Sequence, residues 1–458
     1  MSDTGFSALG LEPDVIANLG SLGYRVMTPV QAASLPHVLA GRDVIAQAKT
    51  GSGKTAAFGI GLLRKLNPRF FGVQALVLCP TRELADQVAK ELRRLARHAD
   101  NIKILTLCGG MPMGPQLGSL EHGAHVVVGT PGRVLKHLAK GSLVLDGLST
   151  LVLDEADRML DMGFRDDIVE VVAYAPPRRQ TLLFSATWPA EIRELSRDFQ
   201  REPVEVTVDS GQAPTQIEQY FFEVADRDRL RAAVDLLRAY VPASAVLFCN
   251  TKQRCVDLLP LLREAGFVAQ ALHGDLEQRE RDLALVQFSN GSCPLLVATD
   301  VAARGLDIKE LAAVISVDLA FDPEIHIHRI GRTGRAGQGG LALSLCSPGE
   351  APRALAIGQY TGKPLSWRDV PPPSAARPSA PAFVTLNIAG GRKDKLRPGD
   401  ILGALTGEGG LAGAKIGKID IFDMQAYVAV DRGVADQALR ALANGRIKGR
   451  SFKVRRIG

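Results

Sequence analysis

No stretch of this 458-residue sequence approaches the roughly 18 consecutive apolar residues that cross a bilayer, and its start, MSDTGFSALG, lacks the basic-then-apolar form of a secretion signal. Neither a membrane protein nor an exported one is expected, and no membrane partner. Cysteine is scarce and scattered. Cys79, Cys108, Cys249, Cys255, Cys293 and Cys346 include no CxxC pair, which argues against a disulfide framework or a zinc site. The reducing cytoplasm is the compartment these thiols fit.

What is present is the composition of a globular protein, 46% hydrophobic and 23% charged, in a chain too long for one core. Two or three domains are expected. The formal charge of +6 is unevenly spread: residues 383–458 carry 14 Lys/Arg against 7 Asp/Glu, a net +7, which leaves the rest at −1. An appended basic module that attracts a polyanion is the physical reading of that asymmetry.

Short apolar runs alternate with amphipathic stretches, the pattern of a parallel α/β sheet. Candidate strands are 75–79, 102–108, 125–129, 150–154 and 181–185, then, after a break near 209–216, 245–249, 294–299, 312–317 and 341–346. Two similar lobes follow, residues 1–208 and 209–367. Leu84, Val88, Leu92 and Leu95 recur at helical spacing, so 82–97 is expected as a helix with its apolar stripe on the sheet. The six prolines of 364–382 mark an extended spacer, with the linker proper at 368–382.

The chemistry begins at Ala48-Lys49-Thr50-Gly51-Ser52-Gly53-Lys54-Thr55, between the strand DVIAQ and a helix. Glycines let backbone N–H groups converge on phosphates, Lys54 brings charge to the outer phosphates, and the Thr55 hydroxyl suits Mg2+. About a hundred residues on, Asp154-Glu155 end an apolar strand. In an NTPase a carboxylate there holds the metal, and Glu155 would orient or deprotonate the attacking water. Pro80-Thr81-Arg82-Glu83, Gly109-Gly110, Thr130-Pro131-Gly132-Arg133, Ser185-Ala186-Thr187, Thr299-Asp300 and Gly305-Leu306-Asp307 also fall at carboxyl ends of strands, where open parallel sheets bind ligands.

Near the end of the second lobe stands His328-Arg329-Ile330-Gly331-Arg332-Thr333-Gly334-Arg335, in which a helical turn would aim Arg332 and Arg335 the same way. Only the first lobe has a phosphate loop and only the second such arginines. ATP is therefore expected between the lobes, with Arg332 and Arg335 as fingers on its terminal phosphate. His326 and His328 have no third ligand nearby, so no metal is expected there.

From Phe6 to about residue 365 these elements resemble the DEAD-box helicases, including Asp154-Glu155-Ala156-Asp157 and Thr28-Pro29-Val30-Gln31. The resemblance implies two tandem RecA-like domains and an ATP-dependent RNA helicase using ATP and Mg2+. It implies that Gln31 reads the adenine edge, Phe6 stacks on the base and Asp307 contacts the ribose. Asp157, Ser185, Thr187 and His328 would couple nucleotide state to lobe closure. RNA would be held by Thr81, Arg82, Gly110, Thr130 and Arg133 of the first lobe and by Thr251, Gly274, Gln278, Arg281, Thr299 and Arg304 of the second. These residue types suit phosphate and sugar contacts that carry no base information.

The C-terminal segment reads β-α-β-β-α-β, the ferredoxin-like order of RNA-recognition (RRM-like) modules. Gly391-Arg392-Lys393, 398–407, Ile416-Gly417-Lys418-Ile419, Tyr427-Val428-Ala429-Val430 and Lys448-Gly449-Arg450 are similar to the C-terminal domain of the DbpA subfamily. That resemblance implies a 23S rRNA hairpin as partner and a role in large-subunit assembly; separately, a monomer is expected. The AYVAV strand lacks the aromatic signature for stacking bases, which leaves Arg446, Lys448, Arg450, Lys453, Arg455 and Arg456 as the expected RNA contacts. A DNA helicase or translocase, or an ATP-gated RNA clamp without unwinding activity, remain the alternatives.

Overall fold

The computed structural model describes residues 5–48, 52–188, 190–208, 217–303, 311–334, 339–372, 378 and 380–457. Its contacts divide the chain into two units, the first formed by the first 212 residues and the second by the remainder of the described chain. Of the expected site residues, Thr50, Gly51, Arg304, Asp307 and Arg335 lie outside the described residues.

The first unit holds one parallel sheet of β1 (Val44–Gln47), β2 (Ala75–Leu78), β3 (Ile104–Leu107), β4 (Val126–Gly129), β5 (Thr150–Asp154), β6 (Gln180–Ser185) and β7 (Val204–Thr207), ordered β3-β4-β2-β5-β6-β1-β7. Its strands are apolar on both faces because helices cover both. In β2, Ala75 and Val77 feed one core cluster and Leu76 and Leu78 the other. The helix Arg82–Leu95 buries Leu84, Val88, Leu92 and Leu95, the stripe expected of it.

The second unit repeats this plan with β8 (Ile217–Glu223), β9 (Ala245–Cys249), β10 (Ala269–Leu272), β11 (Leu295–Thr299), β12 (Ala313–Ser316), β13 (Gly340–Cys346) and β14 (Trp367–Arg368), ordered β10-β11-β9-β12-β13-β8-β14. β8 and β10 escape the sequence pattern, since half-exposed residues interrupt their apolar runs. Trp367–Arg368, at the head of the proline-rich stretch, extend the sheet by pairing with β8.

The same unit carries a four-stranded antiparallel sheet of β15 (Phe383–Ile388), β16 (Ile416–Ile421), β17 (Ala426–Asp431) and β18 (Val454–Ile457), ordered β16-β17-β15-β18. Val384, Leu386, Ile388, Val428 and Val430 pack on one face beneath the helices Pro398–Thr406 and Ala435–Asn444. The α/β class of two RecA-like sheets with a ferredoxin-like appendage holds. No helix among the described residues is long and apolar enough to cross a membrane.

Candidate active site

In the first unit the Lys54–Arg64 helix starts after Gly53, whose φ of 95° is left-handed. A side chain there would lie 2.6 Å from Gln31 Nε2. Gln31 is buried and braces the loop, its Nε2 donating to the Gly53 carbonyl at 3.1 Å while its Oε1 accepts from Thr28 N at 2.9 Å. One N–H and one lone pair remain for a ligand.

Lys54 Nζ, Ser52 Oγ and Asp154 Oδ1, all buried around this loop, have no hydrogen-bond partner among the described residues. Buried polar groups are normally paired, so an ammonium, a hydroxyl and a carboxylate oxygen left over at one place fit a phosphate and its cation. Burial pushes the Asp154 carboxyl up to about 6, against the pull of Lys54 and with a further push from Glu155.

Glu155 occupies a left-handed position, φ 54°. Such a backbone in a non-glycine residue costs on the order of 1–3 kcal/mol and clusters at functional sites. Arg158 Nη1, one helical turn away, donates to Glu155 Oε2 at 2.7 Å, both side chains being buried. Asp157 holds the next loop. Its Oδ2 accepts from Ala186 N at 3.0 Å, Thr187 N at 2.9 Å and Thr187 Oγ1 at 3.0 Å. Ser185 joins by its backbone, its carbonyl accepting from Ala48 N at 2.9 Å, while its buried hydroxyl has no partner among the described residues.

Phe6, the residue expected to stack on the base, lies in a core cluster. It is 3% exposed and packs with Leu11, Leu19, Met27 and Leu35, edge-on to Tyr24 at 6.3 Å between ring centres. A ring so enclosed contributes to the core. Burial of apolar area decided its place.

The residues expected to touch RNA lie farther along the same edge. Thr81, after β2, caps its helix by accepting from Leu84 N, and Arg82 pairs with Asp86 at 3.7 Å. Gly110, after β3, has φ 74° and is exposed. Thr130 Oγ1, after β4, accepts from Gly109 N at 3.4 Å, and Arg133 Nη1 donates to the Met111 carbonyl and to Gln116 Oε1, each at 2.9 Å. Along the strand order, β3-β4-β2 carry this group and β5-β6-β1 carry Asp154, Ser185 and Lys54.

The second unit sorts its residues similarly. Gly274 and the Gln278–Ser289 helix, with Gln278 and Arg281, follow β10; Thr299 ends β11; and Thr251, after β9, accepts from Arg254 N at 3.2 Å. The Pro323–Ile330 helix, with His328, follows β12. That helix ends at Ile330, so Arg332 lies beyond it, and Arg335, expected to align with it, is outside the described residues. Gly331 caps it, and Thr333 turns away to donate its hydroxyl to the Leu311 carbonyl. Arg332 is 8% exposed.

Arg329 is the residue that motif reading undervalues, because only the fold brings its partners together. Nearly fully buried, it donates to both Asp300 oxygens at 2.7 Å, to Asn250 Oδ1 at 2.8 Å and to the Asp318 carbonyl at 2.6 Å. It thereby ties the His328 helix to the loops bearing Thr251 and Thr299. His326 is fully buried beside it, stacked on Phe221, and burial lowers its pKa to about 4.

The basic residues of the C-terminal sheet divide by face. Arg456 reaches Asp436 on the helical side at 3.8 Å, whereas Arg455 is the cross-strand partner of Asn387 on the opposite face. Lys448 donates to the Lys395 carbonyl at 3.0 Å, and Arg446 and Arg450 are exposed on the turn before β18.

Three family models match the chain: DEAD/DEAH box helicase over residues 28–195, Helicase conserved C-terminal domain over 228–337 and DbpA RNA binding domain over 385–456. It is 56% identical over 453 residues to the ATP-dependent RNA helicase DbpA of Escherichia coli, with 99% of each chain covered. It is 42% identical over 361 residues to the DEAD-box helicase CshA of Bacillus subtilis, covering 79% of this chain and 73% of that one. Among solved structures it resembles Dbp5 of S. cerevisiae bound to RNA and ADP BeF3, with a TM-score of 0.73 and 30% identity over 80% of this chain and 96% of that one.

Proposed function

The chain belongs to the DEAD-box family of ATP-dependent RNA helicases and carries a DbpA-type RNA-binding domain, and from that premise we propose that it locally unwinds short RNA duplexes in 23S rRNA during large-subunit assembly. The observation that carries this reading is the sorting along each sheet edge, with backbone-suited residues at one end and nucleotide chemistry at the other. ATP hydrolysis and RNA grip then act through neighbouring loops of one rigid element.

In this reading Lys54, Ser52, Gly53 and the loop residues Thr50 and Gly51 hold the phosphates. Thr55 and Asp154 would hold Mg2+, which supplies charge neutralisation at the transferring phosphoryl group. Glu155 orients the water, held in place by Arg158. Gln31 takes the adenine with its spare N–H and lone pair, Asp307 the ribose, and Arg332 and Arg335 bring charge to the terminal phosphate. Asp157 transmits the state of this strand end to Thr187 through its three hydrogen bonds. Residues 1–208 and 209–367 are the two lobes, 368–382 the linker and 383–458 the targeting domain. The protein acts as a cytoplasmic monomer, which its six buried free thiols fit.

The test is ATPase and strand-release rates with tiled 23S rRNA fragments, unrelated RNA and DNA, for the full chain and for one lacking residues 371–458. A few rRNA fragments should stimulate the full chain selectively, and the truncation should lose that selection. Equal stimulation by DNA would move the enzyme to DNA translocation, and RNA-stimulated hydrolysis without strand release would make it a clamp.

A further inference from the structure

The face of the C-terminal sheet opposite its helices is where RNA-recognition modules ordinarily stack bases. Here that face meets the second lobe. Thr385, fully buried, accepts from Asn290 Nδ2 at 2.9 Å and shares a hydrogen bond of 2.7 Å with Ser292 Oγ. Lys418 Nζ donates to Ser289 Oγ at 2.8 Å. Tyr427, the one aromatic of β17, is 3% exposed, and Arg279 and Asp282 of the Gln278–Ser289 helix lie close enough to act on its hydroxyl. A flat stacking platform is therefore unavailable.

At the open end of this contact lies a cavity of about 430 Å3, lined by Arg279 from the lobe and by Asn387, Met424, Gln425, Lys453 and Arg455 from the C-terminal domain, with Ala389. Its volume falls within the roughly 300–1,000 Å3 of ligand sites. Arg279, Lys453 and Arg455 have no ion pair among the described residues, so three positive charges converge on one space without a carboxylate partner. Asn387 is 5% exposed; its Nδ2 donates to Gln425 Oε1 at 3.3 Å, and its Oδ1 accepts no hydrogen bond among the described residues. Met424, 64% exposed, adds an apolar shelf.

We propose that this composite cavity binds one nucleotide of the RNA, its phosphate between Arg279 and Arg455 and its base edge on Asn387 and Gln425 above Met424. The proposal rests on the RNA-binding reading above and adds the site that reading leaves open. Guanidinium groups suit phosphate geometrically, and carboxamides read base edges. Arg279 directly follows Gln278, so the nucleotide adjoins the strand assigned to the lobe. Lobe and appendage then read one continuous RNA.

The test is anisotropy titration of the full chain with a labelled polyuridine strand and with the same strand carrying a hairpin. Arg279→Ala and Arg455→Ala should each weaken hairpin-RNA binding roughly tenfold and lower the slope of log affinity against log salt by about one. Because the two arginines share one phosphate, the double variant should lose markedly less than the product of the single losses. Unchanged melting temperatures separate this from misfolding, and Arg279→Lys should restore the salt slope. Wild-type-like binding by both single variants, or independent multiplicative losses, overturns the cavity while leaving the helicase reading intact. Competition by uridine monophosphate at sub-millimolar concentration would overturn it in favour of a free nucleotide. A wild-type chain that binds neither RNA overturns both readings.

Discussion

Arg329 grips both carboxylate oxygens of Asp300 at 2.7 Å from a nearly water-free position, with Phe248 beneath the guanidinium at 5.1 Å. The pair fastens the loop after β11 to the helix after β12, two points separated by the whole of β9 in the sheet. Asn250, just after β9, is bonded to the same guanidinium, so one side chain links three strand ends.

Arg329→Ala should destabilise the chain by about 3–5 kcal/mol, because it leaves the Asp300 carboxylate without its cation in a poorly solvated place. Arg329→Lys should recover only part of that, since an ammonium cannot make the bidentate contact. Urea titration followed by tryptophan fluorescence measures both, and equal stability of all three proteins would contradict the fastening role.

Glu155→Gln should leave ATP and RNA binding near wild type and slow turnover by about 10²–10⁴-fold, the usual worth of a positioned base. The glutamine can still accept a hydrogen bond from Arg158, so the αL turn should survive. Single-turnover hydrolysis beside nucleotide binding measures it, and near-normal hydrolysis would exclude Glu155 from orienting water.

His326 makes acid stability asymmetric. Burial holds its pKa near 4, below the unfolded value near 6.5, so the unfolded chain binds the extra proton first. Stability is then complete above about pH 6.5 and is lost as pH falls toward 4, by up to an order of 3 kcal/mol. His326→Gln keeps a donor for Gln219 and should flatten the difference in melting temperature between pH 7 and pH 5; an equally steep wild-type and variant profile would show that other groups dominate.

Thr385→Val preserves shape but removes the acceptor for Asn290 and the partner of Ser292 in a buried place. The expected cost is about 1–3 kcal/mol. Hydrogen exchange should quicken at β15 and at residues 289–293 together, and protection lost in β15 alone would argue against a shared seam.

Gly53→Ala should raise the KM for ATP, because the new methyl would lie 2.6 Å from Gln31 Nε2 at a φ of 95°. Circular dichroism should stay native while nucleotide affinity falls, and an unchanged KM would separate Gln31 from the phosphate loop.

The sequence by itself determined the strands of both lobes wherever they are buried on two faces, because continuous apolar runs such as ALVLC have no other stable home. It also placed a helix start at Lys54 and Asp154-Glu155 at the end of an apolar strand, since both features are local in the chain. Half-exposed β8 and β10 carry too weak a pattern to be read. Only tertiary structure decided that Phe6 is core, that helix geometry stops before Arg332, that Arg329 joins Asp300 and Asn250, and that the outer face of β15 is spent on the second lobe. Each of those depends on groups far apart in the chain, and a one-dimensional pattern holds no distance between them.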